Sequence, residues 1–177
     1  MTEIIKRYYK DNDSNDIGHK SYTIEELNKK ILPTSKINEK YKNIVNINIS
    51  SEKYLENLQK NYTVSENEIW RKYPNDEDFE ISNYGRIKYK NKLLDFKDTK
   101  KLAGYLLLDF KNEKLLLCDK FVYQMVAETW LIKPDHSCHN TIYEIHHISN
   151  DGYDNRGDNL IYLTKNEHSK IRHKTNE

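Results

Sequence analysis

The stretch from residue 143 to residue 173 has the most constrained pattern in the chain. Two short apolar segments, 143–148 and 159–163, are separated by a loop rich in Asn, Asp and Gly, which predicts a pair of strands. Thr164 can then cap a helix over residues 165–173, with Glu167 at its third position to complete a capping box. The order strand, loop, strand, helix predicts a compact β-β-α unit.

Four of the seven histidines lie in this unit: His146, His147, His168 and His173. Neighbouring side chains on a strand point to opposite faces, so His146 and His147 are predicted to have different roles. One imidazole can turn toward a metal ion and the other toward an attacking water. His168, early in the helix, can complete a two-histidine clamp that leaves coordination positions for water and substrate. These are the groups that hydrolysis of a phosphodiester bond needs.

His147, Asn159 and His168, spaced by twelve and then nine residues, resemble the three name-giving residues of the HNH endonuclease family. The blocks 154–156, 158–160 and 167–168 follow in that family's order. The resemblance implies a ββα-metal finger in which His147 is the general base and His146 and His168 bind the metal. It implies that Asn159 is structural and holds His147 in place. The implied activity is one-metal hydrolysis of DNA that leaves a 5′-phosphate.

A second resemblance lies upstream of this unit. Residues 68–70 and 79–88 resemble the nuclease-associated modular DNA-binding motif that precedes HNH units in phage and intron-encoded homing endonucleases. Residues 122–130 resemble the helix that this family places before its catalytic finger. The resemblance divides the chain into a polar N-terminal extension, the modular motif and the nuclease domain, with bounds 1–65, 66–92 and 93–177. It implies a homing-type endonuclease whose partner is double-stranded DNA.

The metal-binding positions depart from the usual residues of the family. Many homing relatives carry Asp at the position of His146 and Asn at that of His168. The resemblance implies one divalent ion, Mg²⁺ or Mn²⁺, and a pair of imidazoles also suits Ni²⁺ or Zn²⁺. His173 lies one place beyond a further family histidine and is not counted as a ligand, because each helical residue turns by about 100°. Arg172, at that family position, is predicted to reach a phosphate.

A stripe of positive charge runs through residues 81–120, with ten Lys and Arg against five Asp and Glu. The formal net charge of the whole chain is +1, so the distribution of charge is more informative than its total. A local stripe attracts a phosphate backbone, and Arg86, Lys88 and Lys90 are the predicted DNA contacts. A lysine-rich solvated surface explains the stripe about as well when it is considered alone.

The predicted fold class is α+β: the C-terminal finger, a small β-rich module before it, and a polar, partly helical N-terminal arm. Thr23 and Glu26 form a capping box that predicts a short helix, and another helix is predicted after residues 50–51. Residues 104–110 and 114–118 are apolar runs that suggest a hairpin. The apolar spacing within residues 120–130 predicts an amphipathic helix that packs on the core.

Composition excludes several other classes of protein. The two cysteines do not make a disulfide framework, no apolar leader precedes them, and no apolar run is long enough to span a membrane. We therefore expect an intracellular, cytoplasmic protein without a membrane partner. His136, Cys138 and His139 lack a second ligand pair for zinc. Two alternatives stay open: an inactive DNA-binding regulator on the same fold, and a phage packaging-associated nuclease of low specificity.

Overall fold

The computed structural model describes residues 3–10, 17–30, 68–94, 99–102, 104–108, 120–134 and 141–171. In these residues the strands are β1 Ile4–Lys10, β2 Ile17–Thr23, β3 Trp70–Tyr73, β4 Asp76–Ser82, β5 Ile87–Tyr89, β6 Lys92–Leu93, β7 Thr99–Leu102, β8 Tyr105–Leu108, β9 Leu131–Ile132, β10 Tyr143–His147 and β11 Leu160–Thr164. The helices are α1 Ile24–Lys30, α2 Val122–Trp130 and α3 Lys165–Lys170, and a 3₁₀ turn covers Gly157–Asn159. The predicted α+β class is confirmed. No described helix is long and apolar enough to cross a membrane.

The described strands form four small antiparallel sheets. Three strands pair in the order β2-β1-β9, four pair in the order β3-β4-β5-β6, and β7-β8 and β10-β11 are two-stranded. The predicted order of the C-terminal elements is observed, because β10, β11 and α3 follow one another. Thr164 caps α3 as predicted: its hydroxyl accepts a hydrogen bond from Glu167 N at 3.2 Å, and its own N–H donates to Glu167 Oε2 at 2.7 Å.

The turn between β4 and β5 joins the upstream sheet to the C-terminal unit. The Ser82 hydroxyl accepts hydrogen bonds from Tyr84 N at 3.2 Å and Arg86 N at 2.9 Å, which closes the predicted turn. Gly85 has φ +80°, and a Cβ there would lie 2.5 Å from the carbonyl oxygen of Asn155. Glycine therefore lets this turn pack directly on the loop between β10 and β11.

The strand β8 has a different described partner from the predicted one. It pairs with β7, upstream, through a turn in which Gly104 has φ +84°. The apolar run 114–118, the predicted partner, lies outside the described residues. Residues 99–102 were not predicted as a strand because their sequence, Thr-Lys-Lys-Leu, has too few apolar side chains to show strand alternation.

The predicted amphipathic helix is α2, and it organises the larger hydrophobic cluster, here called the inner core. Val122, Met125, Val126 and Trp130 of this helix are buried, which confirms the predicted apolar face. The inner core joins α2 to the β3–β6 sheet, β8, β9 and β11: Tyr73, Phe79, Ile81, Ile87, Leu106, Leu108, Val122, Met125, Val126, Ala127, Trp130, Leu131 and Leu160. One cluster therefore supports both the upstream sheet and the C-terminal unit.

The first strands correct the expected polar arm. β1 and β2 form a hairpin, and β1 also pairs with β9 through Tyr8↔Ile132 and Tyr9↔Leu131. The helix predicted from the Thr23 capping box is confirmed as α1, with Glu26 N donating to Thr23 Oγ1 at 3.1 Å. The strands themselves were not predicted, because neither sequence, Ile-Ile-Lys-Arg-Tyr-Tyr-Lys in β1 or Ile-Gly-His-Lys-Ser-Tyr-Thr in β2, alternates clearly between apolar and polar residues. The predicted helix after residues 50–51 lies outside the described residues.

A second cluster, here called the outer core, attaches the N-terminal elements to the other face of β10–β11. Ile5, Tyr22 and Leu27 pack there with four apolar residues of the C-terminal unit, Ile148, Ile161, Leu163 and Ile171. Removing these seven buried side chains from water favours the docked state through the hydrophobic effect. The C-terminal unit is thus covered on both faces, by the inner core and the outer core.

A buried arginine fixes the same attachment by hydrogen bonding. Arg7, with 8% of its surface exposed, donates from Nε to the carbonyl of Leu160 at 2.7 Å and from Nη2 to the carbonyl of Gly157. Its guanidinium also lies 4.9 Å from the ring centroid of Tyr9. Burial lowers the pKa of Arg7 below its usual value. The charge is tolerated because both carbonyls replace the water that it loses.

We expect Arg7→Ala to destabilise the protein by about 2–4 kcal/mol, since it leaves two carbonyls unsatisfied and removes a buried charged donor. Urea unfolding followed by circular dichroism measures this change. Lys6→Ala, one residue away and exposed, is the matched control and should shift stability by less than about 0.5 kcal/mol. Equal stabilities of the two variants would show that the Arg7 bonds do not hold the hairpin.

Candidate functional site

The two adjacent histidines of β10 face opposite sides of the hairpin. His146 is opposite Ile161 of β11, whereas His147 is opposite Leu160. Directly paired residues on antiparallel strands share a face. His146 therefore lies on the face of Ile161, which belongs to the outer core, and His147 lies on the face of Leu160, which belongs to the inner core.

His146 and His168, the two residues of the predicted metal clamp, lie close together. Their ring centroids are 5.2 Å apart, with ring planes inclined at 61°. The capped helix α3 carries His168 to this position. Glu144 lies two residues before His146 on the same strand face, and its Oε2 forms a hydrogen bond with Nδ1 of His168. The carboxylate therefore fixes the orientation of the His168 ring, and Nε2 is the ring nitrogen that this bond does not use.

The separation of these rings is compatible with a shared metal ion. Imidazole nitrogens that each lie about 2.1 Å from one ion, at near-tetrahedral angles, put the ring centroids roughly 5 Å apart. Within the described residues, no group of three or more His, Cys, Asp or Glu side chains is arranged to hold a metal. The candidate donor set is thus the pair His146 and His168, and water or substrate would supply the remaining ligands.

His147 lies in an aromatic and amide environment on the inner face. It is 5% exposed, and its ring centroid is 5.5 Å from that of Tyr105 and 5.3 Å from that of Tyr123. Its Nε2 is 3.1 Å from Oδ1 of Asn155. An amide oxygen accepts but does not donate, so Nε2 carries the proton and Nδ1 is the proton acceptor. Burial lowers the pKa of His147 below its usual value, although the bond to Asn155 partly opposes this effect. The ring is therefore neutral near pH 7.

Asn159 connects the two ends of the loop between β10 and β11. It is 6% exposed, accepts from Ser149 N at 2.9 Å and donates to the carbonyl of Asp154 at 2.8 Å. The backbone carbonyl of Asn159 accepts a hydrogen bond at 2.8 Å from the backbone N–H of Ile148, the residue that follows His147. A structural role for Asn159 requires bonds of this kind, which limit the positions that His147 can take.

Several contacts of the site had no role in the sequence analysis. Glu144 could have been found, because it is two residues from His146 and alternation puts both on one face. Asn155 belongs to a motif block, but its bond to His147 depends on the course of the loop. Tyr105 and Tyr123 could not have been found, because their contacts with His147 join residues distant in the sequence.

The cations predicted to contact DNA face carboxylates in this structure. Arg86 binds Glu68 through two contacts, one of them Nε to Oε1 at 2.8 Å, and this bond raises the pKa of Arg86. Lys88 Nζ lies 3.8 Å from Glu80 and 3.9 Å from the ring centroid of Trp70.

The third cation is also near a carboxylate, since Lys90 Nζ lies 3.8 Å from Asp78. Arg172 and His173 lie outside the described residues. Arg86, Lys88 and Lys90 therefore each lie near a carboxylate, and Glu80 is shared between Lys88 and Lys72.

Comparison with known proteins identifies the upstream region. Residues 68–136 match the NUMOD4 motif, a nuclease-associated modular motif found next to HNH endonucleases. The match covers less than half of the chain and includes the β3–β6 sheet and α2. No curated protein and no solved structure matches the chain.

We expect Asn159→Ala to cost about 1–3 kcal/mol of stability, because the Ser149 amide and the Asp154 carbonyl both lose their partner. Hydrogen exchange should show faster exchange of the Ser149 amide, and urea unfolding gives the change in stability. Asp158→Ala is the control, since the Asp158 side chain is 77% exposed. Unchanged exchange at Ser149 in the Asn159 variant would contradict the proposed connection.

Proposed function

We propose that the protein is a metal-dependent DNA endonuclease of the HNH type. The observation that carries the proposal is the pairing of His146 with His168 across a strand-loop-strand-helix unit, with a third histidine next to the first. The neighbouring match to a nuclease-associated motif supports it. We further propose double-stranded DNA as the substrate and a homing-type activity, in keeping with the motif found upstream.

The residues suited to hold the metal are His146 and His168. Bound there, a divalent ion would neutralise charge on the scissile phosphate and on the departing oxygen. Glu144 would orient His168 through Nδ1, as carboxylates do for metal-binding histidines. Mg²⁺ or Mn²⁺ is proposed for activity, and two imidazoles also favour Ni²⁺ or Zn²⁺.

His147 is proposed as the general base. Its Nδ1 would take the proton of a water positioned for attack on phosphorus. Asn155 would hold the ring through Nε2, and Asn159 would hold the loop that follows. The protein thus supplies a fixed, neutral imidazole beside a charged phosphate.

A DNA-binding protein that does not cut is the second candidate. The burial of His147 beneath Tyr105 and Tyr123 favours it, because an attacking water must reach the ring. Incubation of supercoiled plasmid with the protein and Mg²⁺ or Mn²⁺ distinguishes the two: a nuclease yields nicked or linear DNA, and the regulator leaves the plasmid intact.

We expect His147→Ala to reduce cleavage by about 10²–10⁴-fold while DNA affinity changes little, since the base acts on water rather than on DNA. Plasmid cleavage rates and filter binding measure the two properties. His19→Ala, an exposed histidine on β2, is the control. If a folded His147 variant cuts within threefold of wild type, a cutoff well below about 10²-fold, His147 is not the base.

We expect His146→Ala and His168→Ala each to weaken Mn²⁺ binding strongly, because one imidazole is left to hold the ion. Glu144→Gln should weaken it by about 10–100-fold, as for other carboxylates behind a metal-binding histidine. Calorimetric titration of the full chain with Mn²⁺ measures these affinities, with His19→Ala as control. Unchanged affinity in all three variants would remove the clamp from the proposal.

A further inference from the structure

A cleft of about 700 Å³ lies between the N-terminal hairpin and the loop from β10 to β11. One wall is formed by β1 and β2, and the other includes Ile148, Ser149 and Asn159. The cleft therefore begins at the residue that follows His147.

The charge of the cleft is strongly one-sided. Four cations line it, Arg7, Lys10, Lys20 and Arg156, against one carboxylate, Asp158. Clefts lined by one sign of charge concentrate the field and attract ligands of the opposite sign. The β3–β6 sheet differs, because its cations Arg86, Lys88 and Lys90 face carboxylates.

The four cations have different tasks. Arg7 donates to backbone carbonyls and forms part of the cleft floor. Arg156 makes two bonds of 2.8 Å to Asp154. Lys10 and Lys20 have no ion pair with any residue in the described part of the chain, and Lys20 Nζ lies 5.5 Å from the ring centroid of Tyr22. Lys20 pairs with Arg7 and shares its face, so it presents its charge to the cleft, whereas Lys10 pairs with Ile17 on the other face and lines the cleft only at the end of β1.

Aromatic side chains complete the walls. Tyr9, Tyr22, Tyr84 and Trp130 line the same cleft. Lysine ammonium groups and tyrosine hydroxyls both bind the phosphate and sugar oxygens of a nucleic-acid backbone. A small inorganic anion would use the lysines but not the rings.

We propose that this cleft binds the sugar-phosphate backbone of the DNA substrate, with Lys20 as the phosphate contact on its wall and Lys10 as a second contact at the end of β1. The identity of the bound polymer as substrate rests on the proposed nuclease function, whereas the binding itself does not. The N-terminal hairpin then supplies backbone contacts beside the loop that follows His147.

The test is filter binding of a duplex DNA to the full chain over a salt series, in a chelator so that no cleavage occurs. Each phosphate contact contributes about −0.9 to the log–log salt slope. The double variant Lys10→Gln with Lys20→Gln should therefore bind more weakly and show a slope reduced by about one to two, since Lys20 and, at the end of β1, Lys10 each lose a phosphate contact. Circular dichroism checks that each variant is folded.

The matched control is Lys6→Gln with Lys29→Gln. It removes the same charge from β1 and α1, but at exposed lysines that do not line the cleft. A slope that falls in the cleft variant and not in the control supports the proposal. Equal slopes in the two variants, or no binding of duplex DNA by the wild type, would overturn it.

Failure of the cleft and failure of the nuclease proposal give different results. If the protein does not cut plasmid but shows the cleft-specific change of slope, the cleft proposal stands and the nuclease proposal is wrong. If the protein cuts plasmid but the two variants have equal slopes, the nuclease proposal stands and the cleft proposal is wrong.

Discussion

The buried guanidinium of Arg7 is the interaction on which the arrangement of the site depends. Its two acceptors, the carbonyls of Gly157 and Leu160, stand at the end of the loop and the start of β11. A buried charge is stable only while its acceptors stay in place, so the bond constrains the loop as much as it constrains the hairpin. Asn159 adds bonds to the other end of the loop. The N-terminal strands are thereby part of the site's support.

Strand alternation then divides the chemistry between two environments. His146 and Glu144 lie on the face that α3 crosses, which brings His168 to them. His147 lies on the other face, beneath Tyr105. Tyr105 is 36% exposed and stands at a turn next to Gly104, whereas the following residues Leu106–Leu108 are buried. The partly exposed Tyr105 ring and the Tyr123 ring therefore both contact His147 on this face.

Local patterns predicted the local structure well. The capping boxes at Thr23 and Thr164 and the apolar face of α2 each depend on residues within one or two helical turns. The closeness of His146 and His168 was expected from their spacing and the order of the elements, and their role as metal ligands stays a prediction. The hairpin β1–β2 was missed because its strands are stabilised by distant residues, Leu131 and Ile161 among them.

The same limit applies to the charges. A count of Lys and Arg along residues 81–120 finds a positive stripe, but it cannot see that Glu68, before the stripe, binds Arg86. The same count does not show that Lys10 and Lys20, which come from a segment without an excess of positive charge, line one cleft with Arg156. Electrostatic attraction depends on which charges share a surface and which are already paired. In a protein with a formal net charge of +1, the fold decides where a polyanion can bind.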